Sequence, residues 1–146
     1  MGTPTSSAGG ILFRKEGDDV FIVIVEWEKG VPEQWAPVLR QLPKGGCKPG
    51  ETLEQTALRE VLEETGFDAS IITKAGEAKW SYERNGQIWD ETVHYFFMNP
   101  RTLVAQAHDK EFDYVRWIKI EEAAEILSYP PERELIQNII DNARLP

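Results

Sequence analysis

The segment GGCKPGETLEQTALREVLEETGF, from Gly45 to Phe67, decides the fold prediction. Its second half predicts a helix that begins after a Thr52–Gln55 capping box and stops at Gly66. Positions at i, i+3, i+4 and i+7 of this helix form an expected buried stripe, which consists of Leu58, Val61, Leu62 and Thr65.

Beside that stripe the predicted helix carries three glutamates on one face, Glu60, Glu63 and Glu64. No lysine lies within a turn of them, and like charges at these spacings destabilise a helix. Three interpretations are open for such a face. It is a solvated acidic surface, a site for a divalent cation that prefers oxygen ligands, or a docking face for a basic partner.

The residues before the helix favour the cation site. Gly45-Gly46 and Gly50 let the backbone fold back toward the helix, which can bring a main-chain carbonyl to the same cation. Backbone N–H groups in such a loop can also approach a phosphate. Glu51 and Arg59 can pair across the helix start, and Lys44 can face an anionic substrate.

The whole stretch resembles the Nudix box, the signature of the Nudix hydrolases. Looser similarity extends to the first strand (SAGGILF) and to the late RWI strand with its acidic approach. Every fixed position of the box is filled over its 23 residues, namely Gly45, Glu51, Arg59-Glu60, Val61, Glu63-Glu64, Gly66 and Phe67.

The resemblance implies hydrolysis of a phosphoanhydride in a nucleoside diphosphate linked to another group, with Mg²⁺ or Mn²⁺ as cofactor. It implies that Glu60, Glu63 and Glu64 bind metal, with the Gly45 carbonyl as a further ligand. Arg59 would orient the carboxylates together with Glu51, and these box residues would form the catalytic centre.

The family's general base has no fixed position, so two alternatives remain. One is a box glutamate. The other is Glu111, in the segment HDKEFDYVRW before the last predicted strand, where family members often place a late acidic residue near the metals. Glu111 would then act as base and metal ligand, whereas the opposing interpretation is a solvated loop residue.

The composition limits the classes of function. The chain has 146 residues and a formal net charge of −9, which suits one domain (1–146) and makes binding to nucleic acid or an anionic membrane unfavourable. Cys47 is the single cysteine, so we expect a reducing, cytoplasmic location. Residues 1–7 are expected to be a flexible arm. The oligomeric state, monomer or homodimer, stays open.

Strand and helix patterns alternate along the chain, and Asn85-Gly86 predicts a hairpin turn. Residues 29–50 predict a loop around one short strand. The expected fold is therefore α/β (α+β), a Nudix-type α/β/α sandwich with a mixed β-sheet between helices. The remaining elements are strands at Ile11–Arg14, Val20–Glu26, Ser70–Tyr82, Ile88–Met98 and Tyr114–Ile118, and helices at Glu121–Leu127 and Arg133–Ala143.

The substrate is not chosen by the box. A tyrosine about fifteen residues after it often marks diadenosine polyphosphate hydrolases, and Tyr82 lies close to that position. We therefore predict a small nucleotide substrate, diadenosine tetraphosphate above others, bound by Lys44, Tyr82 and Trp35, with Trp80 and Trp89 as further stacking candidates. The alternatives are a nucleoside triphosphate, ADP-ribose, an inositol pyrophosphate, a 5′-end RNA, or a Nudix domain that senses a nucleotide without cleaving it.

Overall fold

The computed structural model describes residues 3–27, 38–102 and 114–146. None of the helices in these ranges is long and apolar enough to cross a membrane. In chain order the elements are β1 (Thr3–Glu16), β2 (Asp19–Trp27), β3 (Leu39–Gln41), β4 (Lys44–Gly46), α1 (Leu53–Thr65), β5 (Ala69–Arg84), β6 (Gln87–Pro100), β7 (Tyr114–Lys119), α2 (Ile120–Ile126) and α3 (Pro130–Asp141).

The strands form one mixed sheet in the order β3-β2-β1-β6-β5, with β4 added to β1 and β7 added to β2. The β1–β6 pairing is parallel and the others are antiparallel. Helix α1 packs on one face of the sheet, and α2 and α3 pack on the other. The predicted sandwich is confirmed.

The side chains of β1 alternate between the two faces. Ala8 and Leu12 join the core under α1, whereas Ile11 joins the core under α2 and α3. Between them, a Cβ added to Gly10 would lie 2.7 Å from a methyl carbon of Val61 on α1. Glycine at this position lets α1 approach the sheet closely, and so fixes the depth of the helix that carries the three glutamates.

The capping predictions for α1 are confirmed, because the Thr52–Gln55 capping box forms and Gly66 ends the helix with a φ of 77°. The predicted stripe is wrong at Leu62, whose exposed fraction is 42%. Glu64 is buried instead, since its carboxylate points inward to a main-chain N–H group of β4.

The expected flexible arm over residues 1–7 differs from the structure from Thr3 onward. Strand β1 begins there and pairs with β6 from Thr3↔Trp89 to Leu12↔Met98. This partner is distant in the chain, so the local sequence gave no sign of it. Asn85-Gly86 forms the predicted hairpin turn with positive φ at both residues. In the loop predicted to hold one short strand, the described part, residues 38–50, already contains two, β3 and β4.

Candidate active site

Arg59, in the middle of α1, is the centre of a polar network that reaches back to Glu51 before the helix. Its Nε and Nη2 atoms donate to the two oxygens of Glu51, at 2.7 and 2.8 Å. Nη1 donates to Glu60 Oε1 at 2.7 Å and to Glu63 Oε2 at 3.2 Å, and Nη2 also reaches the Gly46 carbonyl at 3.0 Å. Arg59 therefore partly neutralises the acidic face, although no lysine lies within a turn of the three glutamates.

The Arg59–Glu51 pair is a planar, two-point ion pair. Glu51 accepts these hydrogen bonds from Arg59 and a further one from the Lys48 backbone N–H, and together they lower the pKa of Glu51 to about 2. Glu51 in turn raises the pKa of Arg59. Glu51 is thus ionised at any ordinary pH, and it anchors the guanidinium while the other donors of Arg59 reach Glu60 and Glu63.

Glu64 has a different environment from its two neighbours. Only 3% of the residue is exposed, and Oε1 accepts a hydrogen bond from the Lys44 backbone N–H at 2.8 Å. The helix is thereby tied directly to β4. By contrast, the side chain of Glu63 is 38% exposed. Of the three glutamates, Glu64 is therefore the buried one and Glu63 the one nearest to solvent.

The main chain of Gly45 lies directly against the carboxylate of Glu60, and a Cβ at this position would overlap Glu60 Cδ. Carboxylate oxygens and main-chain carbonyl oxygens are ligands that hard cations such as Mg²⁺ prefer, so these residues fit the predicted cation chemically. In the arrangement seen across residues 3–27, 38–102 and 114–146, no three acidic, His or Cys side chains converge on one point.

Lys44 connects the two faces of the sheet. Its backbone N–H points to Glu64 on the α1 face, whereas its side chain extends to the α3 face. There Nζ lies 3.7 Å from Glu91 Oε1 and 4.9 Å from the centre of the Trp80 ring. The predicted contact of Lys44 with substrate stays a prediction. To make it, an anionic group of the substrate would have to compete with the Glu91 carboxylate for the Lys44 ammonium group.

Three of the aromatic side chains expected to bind a base, Trp80, Tyr82 and Trp89, lie on the β5–β6 hairpin, and Trp80 is the one that contacts Lys44. Tyr82 pairs in register with Trp89, and the Arg84 guanidinium lies 5.6 Å from the Tyr82 ring centre. Trp80 stacks on Tyr129, with centroids 6.0 Å apart and an interplanar angle of 9°. Sequence reasoning missed Tyr129, although an aromatic directly before a Pro-Pro helix start was a visible signal.

A second residue that sequence reasoning missed is Glu132, in the first turn of α3. It is fully buried, and its Oε2 accepts from the Tyr95 hydroxyl at 2.7 Å and the Leu42 N–H at 3.1 Å. Burial raises the pKa of Glu132 to about 7. Its spacing to the buried Leu135, Ile136 and Ile139 was the sequence signal that it faces the core.

Two predicted site residues, Trp35 and Glu111, lie outside the residues that the structure describes. Their roles in substrate binding and in base catalysis remain predictions. Among the described residues, the predicted box residues meet Lys44 where β4 packs against α1, whereas Tyr82 lies on the β5–β6 hairpin beside Trp89 and Arg84.

Comparison with known proteins identifies the family. The family model for the NUDIX domain matches residues 3–139. The chain is 37% identical over 102 residues to the putative mutator protein MutT4 of Mycobacterium tuberculosis, a match that covers 68% of this chain but 40% of that protein. It is 30% identical over 113 residues to the RNA pyrophosphohydrolase of Rickettsia rickettsii, covering 68% of this chain and 70% of the relative.

Solved structures agree on the fold. The Ap4A hydrolase of C. elegans in a binary complex superposes with a TM-score of 0.73 at 22% identity, over 96% of this chain and 98% of that one. The NUDIX domain of Shewanella oneidensis NrtR, complexed with ADP ribose, gives 0.72 at 16% identity, over 98% and 90%. At these identities the likeness concerns the fold alone, but together with the family match the resemblance of the box is confirmed: the chain belongs to the Nudix hydrolase family.

Proposed function

We propose that this Nudix hydrolase cleaves a phosphoanhydride bond of a dinucleoside polyphosphate, such as diadenosine tetraphosphate, with Mg²⁺ or Mn²⁺. The observation that carries the proposal is the double orientation of Lys44. Its main chain meets the carboxylate face of α1, and its side chain meets the aromatic face of the β5–β6 hairpin. A substrate with phosphates next to a base fits such a junction.

On the carboxylate face, Glu60, Glu63, Glu64 and the Gly45 carbonyl would hold the cation. When bound, the cation would neutralise phosphate charge and lower the pKa of an attacking water. Arg59 keeps two of these carboxylates oriented through its hydrogen bonds of 2.7 and 3.2 Å. A carboxylate, either in the box or at Glu111, would take the proton from water.

The net charge of −9 makes a cation necessary for an anionic substrate, because the protein as a whole repels polyphosphates. Locally, Lys44 supplies one positive charge at the junction. It lies between the Glu91 carboxylate and the Trp80 ring, so phosphate binding would exchange one anionic partner for another.

On the aromatic face, Tyr82 would stack on a base. Each such contact contributes about 1–3 kcal/mol by analogy with single-stranded nucleic-acid binders. A second nucleoside adds stacking on this surface, whereas a simple triphosphate leaves part of it unused. This supports the dinucleotide over ADP-ribose and nucleoside triphosphates.

A second candidate substrate is a 5′-triphosphorylated RNA, because relatives named RNA pyrophosphohydrolase match the chain at 30% identity. The charge of −9 favours the smaller dinucleotide, since the sequence-independent part of RNA affinity depends on basic residues.

The test is a hydrolysis screen with Mg²⁺ over diadenosine tetraphosphate, ATP, ADP-ribose and a 5′-triphosphorylated RNA, with products separated by chromatography. The expected result is the highest kcat/KM for the dinucleotide. A higher kcat/KM for any other substrate would contradict the assignment. Binding of nucleotides without cleavage of any of them would indicate a sensing domain instead.

A further inference from the structure

The proposed site depends on the Leu42–Gly46 segment. The main-chain groups of this segment form hydrogen bonds to three other parts of the chain. Pro43 O accepts from the Gly10 N–H at 3.1 Å, and the Lys44 N–H donates to Glu64 at 2.8 Å. At its start the Leu42 N–H donates to Glu132 at 3.1 Å. Glu132 therefore acts on the opposite end of the segment from the α1 carboxylates.

We propose that Glu132 is a positioning residue that fixes the Leu42–Gly46 segment, and through it the Lys44 backbone and the Glu64 carboxylate. The hydrogen bonds of Glu132 to Leu42 and Tyr95 do not depend on any substrate. Only the catalytic consequence of this inference rests on the proposed function.

The cost of placing a carboxyl group at this position supports the proposal. Glu132 is fully buried, Oε1 has no hydrogen-bond partner among the described residues, and none of them forms an ion pair with it. A buried carboxyl group in that state costs stability, and an apolar side chain of similar size would suit the core side of α3 better. A Leu or Met side chain, however, could not accept the hydrogen bonds from the Leu42 N–H and the Tyr95 hydroxyl.

The short path from Leu42 to Lys44 explains how the contact reaches the site. A single residue, Pro43, separates them, and its ring fixes its own φ. Pro43 also packs tightly against β1, because its carbonyl oxygen accepts from the Gly10 N–H and lies so close to Gly9 that an added Cβ there would overlap it. A shift at Leu42 is therefore passed on to the Lys44 N–H and its bond to Glu64 rather than absorbed between them.

The experiment compares Glu132→Met, which removes the acceptor, with Glu132→Gln, whose amide oxygen can still accept both hydrogen bonds. Ile136→Val is the matched control, because Ile136 is fully buried on the same helix and loses only a methylene. Amide hydrogen exchange by NMR and steady-state kinetics with diadenosine tetraphosphate and Mg²⁺ are measured on all four proteins.

For Glu132→Met we expect the Leu42 and Lys44 amides to exchange about tenfold faster or more, because an unsatisfied buried donor favours local opening. We expect kcat to fall by about tenfold while KM changes little, since orientation rather than binding is lost. Glu132→Gln should restore both readouts to near the wild-type values, and Ile136→Val should change neither.

Wild-type exchange of the Leu42 and Lys44 amides in a folded Glu132→Met protein would overturn the proposal. If that variant does not fold, Glu132→Asp replaces it, because the shorter side chain keeps the charge but withdraws the acceptor. Unchanged exchange in Glu132→Asp would equally overturn the proposal. Absence of hydrolysis by the wild type would instead contradict the proposed function, and the exchange data would still decide the role of Glu132.

Discussion

Two buried glutamates contact the same short segment from opposite faces of the sheet. Glu64 of α1 accepts the Lys44 N–H, and Glu132 of α3 accepts the Leu42 N–H, two residues earlier. Their surroundings differ. Glu64 adjoins the Arg59 network and the predicted cation ligands, whereas Glu132 has a tyrosine hydroxyl as its other partner. The same contact thus belongs to a candidate reaction centre on one face and to its support on the other.

The largest effect is expected at Glu64. In Glu64→Gln the amide oxygen can keep the Lys44 hydrogen bond, but the charge is lost. We expect kcat for diadenosine tetraphosphate to fall about 10²–10³-fold, as when a single transition-state stabilising group is removed. Steady-state kinetics would show this. Near-normal turnover in a folded Glu64→Gln variant would remove Glu64 from the centre, and Glu54→Gln, exposed at the start of the same helix, serves as the control.

Glu132 should also make the stability of the folded protein depend on pH. Burial raises its pKa from 4.5 to about 7, so the folded protein holds this proton more tightly than the unfolded chain. Stability should therefore decrease as pH rises through the window from 4.5 to about 7, by about 3 kcal/mol in total. The Glu132→Gln variant should lack this decrease.

Urea unfolding at pH 5 and pH 8 measures that difference. The other ionisable groups that influence Glu132 are Tyr95 and Glu91 on β6 and Lys44 on β4, and they are the same in both proteins. Glu134→Gln, on the exposed side of α3, is the control and should follow the wild type. A parallel pH dependence for wild type and Glu132→Gln would show that burial does not control this carboxyl group.

The aromatic face is tested by Tyr82→Ala. We expect kcat/KM for diadenosine tetraphosphate to decrease by a factor that corresponds to about 1–3 kcal/mol, the magnitude of one base-stacking contact. A substrate without the second base, such as ATP, should be nearly unaffected. If all substrates slow equally, Tyr82 supports the hairpin and does not read the substrate.

The carboxylate face is tested by two neighbouring glycines. An added methyl group in Gly45→Ala meets the Glu60 carboxylate, whereas in Gly46→Ala nothing lies within 4 Å of it. We expect kcat to fall about tenfold in the first variant, because the Glu60 carboxylate is displaced, and to change little in the second. Equal kcat values in the two variants would show that the Gly45–Glu60 contact has no part in catalysis.

The two faces also differ in how far the sequence predicted them. The helix, its caps and the Glu51–Arg59 pair follow from spacings of a few residues, and the structure contains them. The partners of Glu132 lie 37 and 90 residues away, so the spacing on α3 could predict its burial but not its contacts. The early start of β1 at Thr3 was missed for the same reason, because its partner β6 begins at Gln87.

Local reasoning also failed where the side chain's direction depends on packing. Leu62 was expected to be buried and Glu64 to lie beside the buried stripe. Leu62 is exposed and Glu64 is buried, where its carboxylate accepts the hydrogen bond of the Lys44 N–H. Helical periodicity defines the faces of α1 and not how the helix is rotated on the sheet. That rotation depends on the packing of α1 against the sheet, for example at Gly10, where an added Cβ would lie 2.7 Å from Val61.

The central claim is that the carboxylates around Glu64 bind a divalent cation for hydrolysis. The most direct measurement is a melting-temperature titration with Mg²⁺, run on wild type and on Glu64→Gln. We predict a concentration-dependent rise for the wild type, because a ligand that binds only the folded state stabilises it, and a much smaller rise for the variant. No rise for the wild type, or the same rise for both proteins, would contradict the claim.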